Sequence, residues 1–164
     1  MDSEAARKPP LAILPAVSGK AKRHSYQKLT NQYKIKMQIR KYNKITDESK
    51  LMKMISDEEG WKYANETLAE KYKVALDTSI TYVAYQDDVL CGYSRSLNDF
   101  GEYIYVCDLL VKPTYRGKEI GRKLMECIYK DYPNQVVYVM SDVDGYYEKV
   151  NYKRIGSIFE VQCR

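Results

Sequence analysis

The sequence has few of the residues that build metal centres. It holds one histidine, His24, and four widely spaced cysteines, Cys91, Cys107, Cys127 and Cys163, with no C-x-x-C pair. A structural zinc site needs thiolate and imidazole ligands at short, regular spacings, so no metal is expected and the thiols read as reduced, mostly core residues. No apolar run reaches the roughly 18 residues of a membrane span. Nor does any stretch join a charged start, an apolar middle and a small-residue cleavage site. The expectation is a soluble cytoplasmic protein with no membrane partner. Two phosphate-binding patterns are also missing, the P-loop G-x-x-x-x-G-K-[ST] and the dinucleotide fingerprint G-x-G-x-x-G.

Charge is present but unevenly placed. The 164 residues carry a net +5. Before residue 34, Arg7, Lys8, Lys20, Lys22, Arg23 and Lys28 face only Asp2 and Glu4, which accounts for +4 of it. The remainder is nearly neutral, which argues against a nucleic-acid-binding face on the fold. Residues 1–33 lack sustained periodicity, and their short apolar piece Leu11–Val17 is interrupted by proline. They are expected to be a disordered basic tail, or a leftover of cloning, ahead of one domain spanning 34–164. A tail-mediated contact with nucleic acid or membrane is the weakest reading.

One stretch organises the chain, Cys107 to Leu124. It begins as an apolar strand, turns at Pro113, becomes small and basic, and opens a helix in which Ile120, Leu124, Cys127 and Ile128 recur at helical spacing. The first amides of a helix lack intrahelical partners and the macrodipole adds partial positive charge, so such a turn suits a phosphate or pyrophosphate. Gly117 and Gly121 clear the approach, while Arg116, Lys118, Arg122 and Lys123 add full charges. Around this stretch, Met37, Ile39 and Tyr42 alternate as a first strand. Thr46-Asp47 caps a helix through Ile55, and Trp61, Ala64, Leu68 and Tyr72 share a face of a second. Strands follow at Ile80–Tyr85 and Val89–Ser96, joined through Gln86-Asp87-Asp88, and then at Tyr103–Val111. The central helix is expected from Arg116 to Tyr132, a buried strand over 135–140, and a short helix from Asp142 to Asn151, with Asn151 at the left-handed position after its end. Strands near Tyr152–Ile155 and Ser157–Gln162 complete the order βααβββαβαββ, a mixed α/β layout.

The turn resembles the pyrophosphate signature of the GNAT acetyltransferase superfamily, V-x-P-x-x-[R/Q]-G-x-G-x-G/A, through Val111, Pro113, Arg116, Gly117 and Gly121, with Glu119 where the family usually has glycine. Main-chain N–H groups hold the phosphate, and glutamate supplies one too, provided its carboxylate points away. A second motif lies where the first predicts it: Tyr146-Tyr147-Glu148-Lys149-Val150-Asn151-Tyr152 resembles the family's [F/Y]-Y-E-K-x-G-[F/Y]. The resemblance covers about residues 36 to 162. It implies a central twisted sheet flanked by helices, acetyl-CoA as donor, and direct transfer to a primary amine, small or protein-borne, in a ternary complex.

The resemblance also implies site residues. The strand through Leu109, Leu110 and Val111 splays from the next one and offers backbone groups to the pantetheine arm. The diphosphate sits near Arg116 on the amides of Gly117, Lys118, Glu119, Ile120, Gly121 and Arg122. Tyr147 resembles the general acid; with a phenol near ~10 and a thiol near ~8.5, complete transfer is uphill by about 2 kcal/mol, so its main part is a hydrogen bond to the departing sulfur. The base is left open between Asp108, Glu58, Glu59 and a water relay. Alternation points Asp108 away from Tyr105 and Cys107 unless a bulge re-aims it. Glu58, Glu59 and Trp61 are candidates for the acceptor cleft, where carboxylates beside an aromatic suit a cationic amine; a solvated helix end with Trp61 in the core is the bland counterpart. A catalytically idle acyl-CoA-binding or regulatory module of the same fold is the competing function. Ser157–Gln162, as an open edge strand, leaves room for a homodimer.

Overall fold

The computed structural model describes residues 36–162. Both the basic tail and Cys163 lie outside the described residues. Five strands form one sheet in the order β1 (Met37–Lys41), β2 (Ile80–Gln86), β3 (Val89–Asn98), β4 (Tyr103–Val111), β5 (Val136–Val139). Neighbours are antiparallel except β4 and β5, which are parallel. Helices α1 (Lys44–Ser56) and α2 (Ala69–Thr78) join β1 to β2, α3 (Ile120–Asp131) joins β4 to β5, and α4 (Asp144–Lys149) follows β5. This is the mixed α/β architecture that the pattern implies.

Alternation along the strands divides the core in two. Val83, Tyr85, Leu90, Tyr93 and Leu110 pack beneath Leu51, Met54, Ile55, Tyr72 and Leu76 of α1 and α2. On the opposite face Tyr82, Ala84, Cys91, Ile104 and Val106 meet Ile120, Leu124, Met125 and Ile128 of α3. The β2–β3 hairpin closes on Asp87 (φ 48°) and Asp88 (φ 65°), the pair of left-handed residues that a tight, twisted hairpin requires.

Several boundaries differ from the sequence reading, each for a local reason. The cap of α1 is Asn43, whose side chain accepts from the Ile45 and Thr46 amides, rather than Thr46-Asp47. Helix α2 starts late because Asn65 diverts the chain: its side chain accepts from Leu68 N–H at 3.0 Å, so Trp61 and Ala64 lie outside the helix. The central helix opens at Ile120 instead of Arg116, since the left-handed backbone at Gly117 and Glu119 delays it. Strand β5 is half-buried rather than fully covered, with Val136 49% exposed at the sheet edge. Asn151 does take the left-handed position, at φ 61°. The two final strands are not formed. Tyr152–Gln162 makes no ladder, and Ile155, Ile158, Phe159 and Val161 stay exposed, so the edge strand invoked for a dimer is missing there.

Asp47 takes a structural part instead of capping. Fully buried, it accepts from both Arg40 guanidinium nitrogens at 2.6 and 2.7 Å, from the Asn43 amide at 2.8 Å and from the Tyr85 hydroxyl at 2.8 Å. Burial alone would raise its carboxyl; the donors from Arg40, Asn43, Tyr85 and Thr46 overcome that and hold it at about 2. A depressed acid contributes stability that is complete above its unfolded value near ~4 and is lost as pH falls towards ~2, here about 2 kcal/mol. Asp47→Asn is expected to lower the thermal midpoint at neutral pH and to flatten its fall between about pH 4 and 2, measured by calorimetric unfolding. An unchanged acid limb would remove Asp47 from this role.

Candidate active site

Strand β4 ends at Val111, and a 3-10 turn, Pro113–Tyr115, carries the chain toward α3. Gly117 (φ 77°) and Glu119 (φ 60°) then bend it into the helix. A left-handed glutamate costs about 1 kcal/mol relative to glycine. Its carboxylate is turned onto Arg122 at 2.8 Å, clear of the main chain. From Gly117 to Arg122 no main-chain N–H reaches an acceptor among the described residues; the first helical bond is Lys123 N–H to Glu119 O, 3.0 Å. Gly117 faces open space where a side chain would stand. Consecutive unpartnered amides at a helix start, with room in front of them, fit a diphosphate.

The cations do not all reach that cradle. Arg116 donates to Val111 O at 2.9 Å and to Glu58 at 2.5 Å. Arg122 is shared between Glu119 and Glu126, the latter at 3.6 Å, and the Lys118 ammonium lies over the Tyr115 ring, 4.9 Å from its centre. What the turn could offer an anion is therefore its amides and helix dipole more than its basic side chains. Ile120 is buried in the core below α3, so it offers only its amide.

Beside the turn the sheet opens. β5 pairs with β4 only from Tyr103 to Val106, and Met140 N–H to Val106 O, 3.1 Å, is the last contact. β4 runs on from Cys107 to Val111 with β3 on one edge and no strand on the other. On that edge Val111 O accepts from Arg116, and the other backbone groups have no strand partner.

A bulge falls at the same place. Arg95 is paired with Asp108 and Ser96 with Val106, so Cys107 is the extra residue. Before it Ile104 and Val106 face α3; after it Leu109 and Val111 do, while Leu110 and Asp108 face α1 and α2. Asp108 is thereby re-aimed onto the face of Tyr105. It is buried, with Oδ2 accepting from Arg95 Nε at 2.5 Å and from the Tyr72 hydroxyl at 2.8 Å. Tyr72 and Tyr93 share a hydrogen bond of 2.6 Å, and burial first, then the Asp108 charge, pushes the Tyr72 phenol well up. Burial would lower Arg95, but the Asp108 carboxylate outweighs it and raises the guanidinium. Trp61 and Tyr63, both half-buried, border this group: Trp61 meets Tyr93 edge-on at 6.0 Å and Tyr63 stacks on Tyr72 at 4.5 Å.

Tyr147 stands on α4, half-buried, edge-on to Tyr146 at 5.0 Å and stacked on Tyr152 at 6.3 Å. Burial, then Tyr146 and Asp142, push its phenol up to about 12. Burial, then the Asp108 charge, pushes the Tyr63 phenol up as well, with a smaller contribution from Asp142. Of the predicted residues, Trp61 and Asp108 belong to the Tyr72–Tyr93 group and Tyr147 packs on Tyr146 and Tyr152; Glu58 is held by Arg116, and Glu59 is exposed on the loop. The sequence reading places Tyr72, Asp142 and Tyr146 only as helix and motif positions and does not single out Tyr63, Tyr93 or Arg95. A lone arginine in strand Val89–Asn98 facing a lone aspartate in Tyr103–Val111 was the available signal for Arg95.

With the geometry in place, the comparisons are consistent. Residues 77–154 match a family model described as the acetyltransferase (GNAT) domain. No curated protein matches the chain. Among solved structures, the fold is shared with a GNAT-family acetyltransferase from Streptococcus pneumoniae TIGR4 (22% identity, TM-score 0.61, covering 77% of this chain and 99% of that one). It is shared too with a Trypanosoma brucei acetyltransferase (16%, 0.59, 78% and 100%) and with the aminoglycoside N-acetyltransferase AAC(6')-Iy in complex with CoA (14%, 0.64, 79% and 96%). At these identities the likeness is one of fold. Residues 77–154 thus resemble the GNAT acetyltransferase family in sequence, and the described residues share the fold of these acetyltransferases.

Gly121 shows how closely the elements are fitted. A Cβ there would overlap the Tyr146 hydroxyl and come 3.3 Å from Tyr146 Cζ. Gly121→Ala should displace α4 from α3 and weaken CoA binding about tenfold, and adding Tyr146→Phe should restore part of it. Calorimetric titration of CoA into the two variants checks this; undiminished affinity in Gly121→Ala would contradict it.

Proposed function

We propose that the chain is an N-acetyltransferase that moves the acetyl group of acetyl-CoA to a primary amine by direct attack in a ternary complex. The observation that carries this reading is the coincidence of a parted β4 edge with an unpartnered amide turn at its end. Acetyl-CoA supplies the activated acyl group as co-substrate, and the residues from Leu109 to Val111 and Gly117 to Arg122 fit its pantetheine and diphosphate parts. One N–H on the parted edge polarises the thioester carbonyl. The acceptor is a small amine or a protein amine that enters beside Trp61 and Tyr63, where aromatic faces suit a cation.

The incoming alkylammonium, near ~10.4, must lose a proton before it attacks. Asp108 is the carboxylate turned toward the acceptor. Arg95 and Tyr72 occupy its Oδ2, so it orients the amine through Oδ1, the oxygen without a hydrogen bond, and the proton passes to water. Tyr147, at about 12, stays protonated at all working pH and donates a hydrogen bond to the sulfur as negative charge develops there. Outright proton transfer to a thiolate near ~8.5 would be uphill by about 5 kcal/mol. No helix among the described residues is long and apolar enough to cross a membrane. Cys91, Cys107 and Cys127 are free thiols, which suits the reducing cytoplasm.

Acetyl-CoA offered with a panel of primary amines should release free thiol. CoA binding without thiol release across the panel would leave only an idle acyl-CoA-binding module. Tyr147→Phe should lower kcat about a hundredfold with the acetyl-CoA KM nearly unchanged; undiminished turnover would remove Tyr147 from the mechanism. In the wild type, kcat/KM should climb with pH toward the amine's value near ~10, with no descending limb from Tyr147 below about pH 11. A fall setting in near neutrality would contradict a phenol held high.

A further inference from the structure

We infer that Arg116 is a positioning residue that braces the acceptor loop against the cofactor turn, and not a ligand of the diphosphate. For its catalytic consequence this rests on the transferase reading; its structural content does not.

Arg116 follows the 3-10 turn directly before the unpartnered amides, where a basic residue would be assigned to phosphate on sequence alone. Its guanidinium is turned the other way. Nε donates to Val111 O at 2.9 Å, which aims the group back along β4, and Nη2 donates to Glu58 Oε1 at 2.5 Å. A planar guanidinium holding two acceptors in different directions is fixed in orientation as well as in charge. The Glu58 side chain is only 19% exposed. Drawing Arg116 off to a phosphate would strand that carboxylate in a poorly solvated place, which is costly.

Glu58 is also the hinge point of the acceptor loop. Its N–H donates to Ile55 O at 3.2 Å, and its carbonyl accepts from Trp61 N–H at 3.3 Å around Gly60, which sits at φ 86°. Trp61 leans on Tyr63 and Tyr93, Tyr63 stacks on Tyr72, and Tyr72 holds Asp108. The circuit from Val111 through Arg116, Glu58, Trp61 and Tyr72 returns to β4 at Asp108. Both ends of it sit on the strand segment that β5 leaves free. The brace therefore fixes the aromatic wall of the acceptor cleft relative to the same backbone that receives the thioester.

Trp61 is the single tryptophan, so its fluorescence reports on the loop without any substrate. In the full chain, Arg116→Ala, Glu58→Gln, their double variant and Arg116→Lys are compared by Trp61 emission and acrylamide quenching, by calorimetric CoA titration, and by acceptor KM with any amine turned over. Each single variant should shift the emission to the red and raise quenching, with the double no further displaced than the singles. Lysine, unable to span both acceptors, should behave like alanine. CoA affinity should change by less than about threefold, while acceptor KM rises about tenfold. If Arg116→Ala loses tenfold or more in CoA affinity while Glu58→Gln keeps or gains it, Arg116 is a phosphate ligand and the inference fails. Unaltered Trp61 emission and quenching in Glu58→Gln, which keeps a side chain of the same shape, would overturn it as well. Should no amine be turned over even by the wild type, the transferase reading fails, while the fluorescence and calorimetric arms still decide the brace.

Discussion

The structure depends on a change of partners half-way along β4. Up to Val106 the strand is hydrogen-bonded on both edges; from Cys107 onward one edge is open. An interior strand with unpaired amides and carbonyls is unfavourable unless something else satisfies them. That open length leads straight into a helix start whose amides are also without acceptors. Two unmet backbone requirements, joined end to end, describe an extended ligand with an amide-bearing arm at one end and an anionic group at the other.

The bulge at Cys107 converts this backbone arrangement into a site with side chains. An uninterrupted strand would bury Asp108 against α3, amid Ile120 and Leu124, with no partner. The extra residue sends it to the opposite face, where Arg95 and Tyr72 receive it. Its charge is balanced there, beside the rings of Tyr72, Tyr93, Tyr63 and Trp61. Much of the charge in the region is balanced likewise: Glu58 against Arg116, Glu119 against Arg122. In the proposed reading, recognition of a ligand is left to main-chain dipoles, aromatic faces and the phenol of Tyr147.

A large part of the fold was legible in sequence because it is written in short-range chemistry. Asp87-Asp88 between two β-rich runs marks a hairpin, Asn151 marks a left-handed helix end, and the run from Pro113 to Gly121 marks a turn into a helix, all of them properties of a few adjacent residues. Long-range features were not legible. The bulge is a mismatch between β3 and β4 that neither strand displays alone. Tyr146 against Gly121, and Glu58 against Arg116, join residues that only the finished fold brings together. Asp47 read as a cap because caps and buried ion pairs use the same residue, and only Arg40 on the neighbouring strand decides between them. The alternating apolar residues after Tyr152 suggested strands, but apolar alternation without a partner edge makes no ladder.

The central claim is that the main-chain amides of Gly117 to Arg122 hold the diphosphate of coenzyme A. Residue-resolved hydrogen exchange by NMR, with and without CoA, addresses those amides directly. Marked slowing at 117–122 together with the free edge of β4 is the predicted result. Saturating CoA that leaves those amides exchanging as before, while protecting another part of the chain, would contradict it.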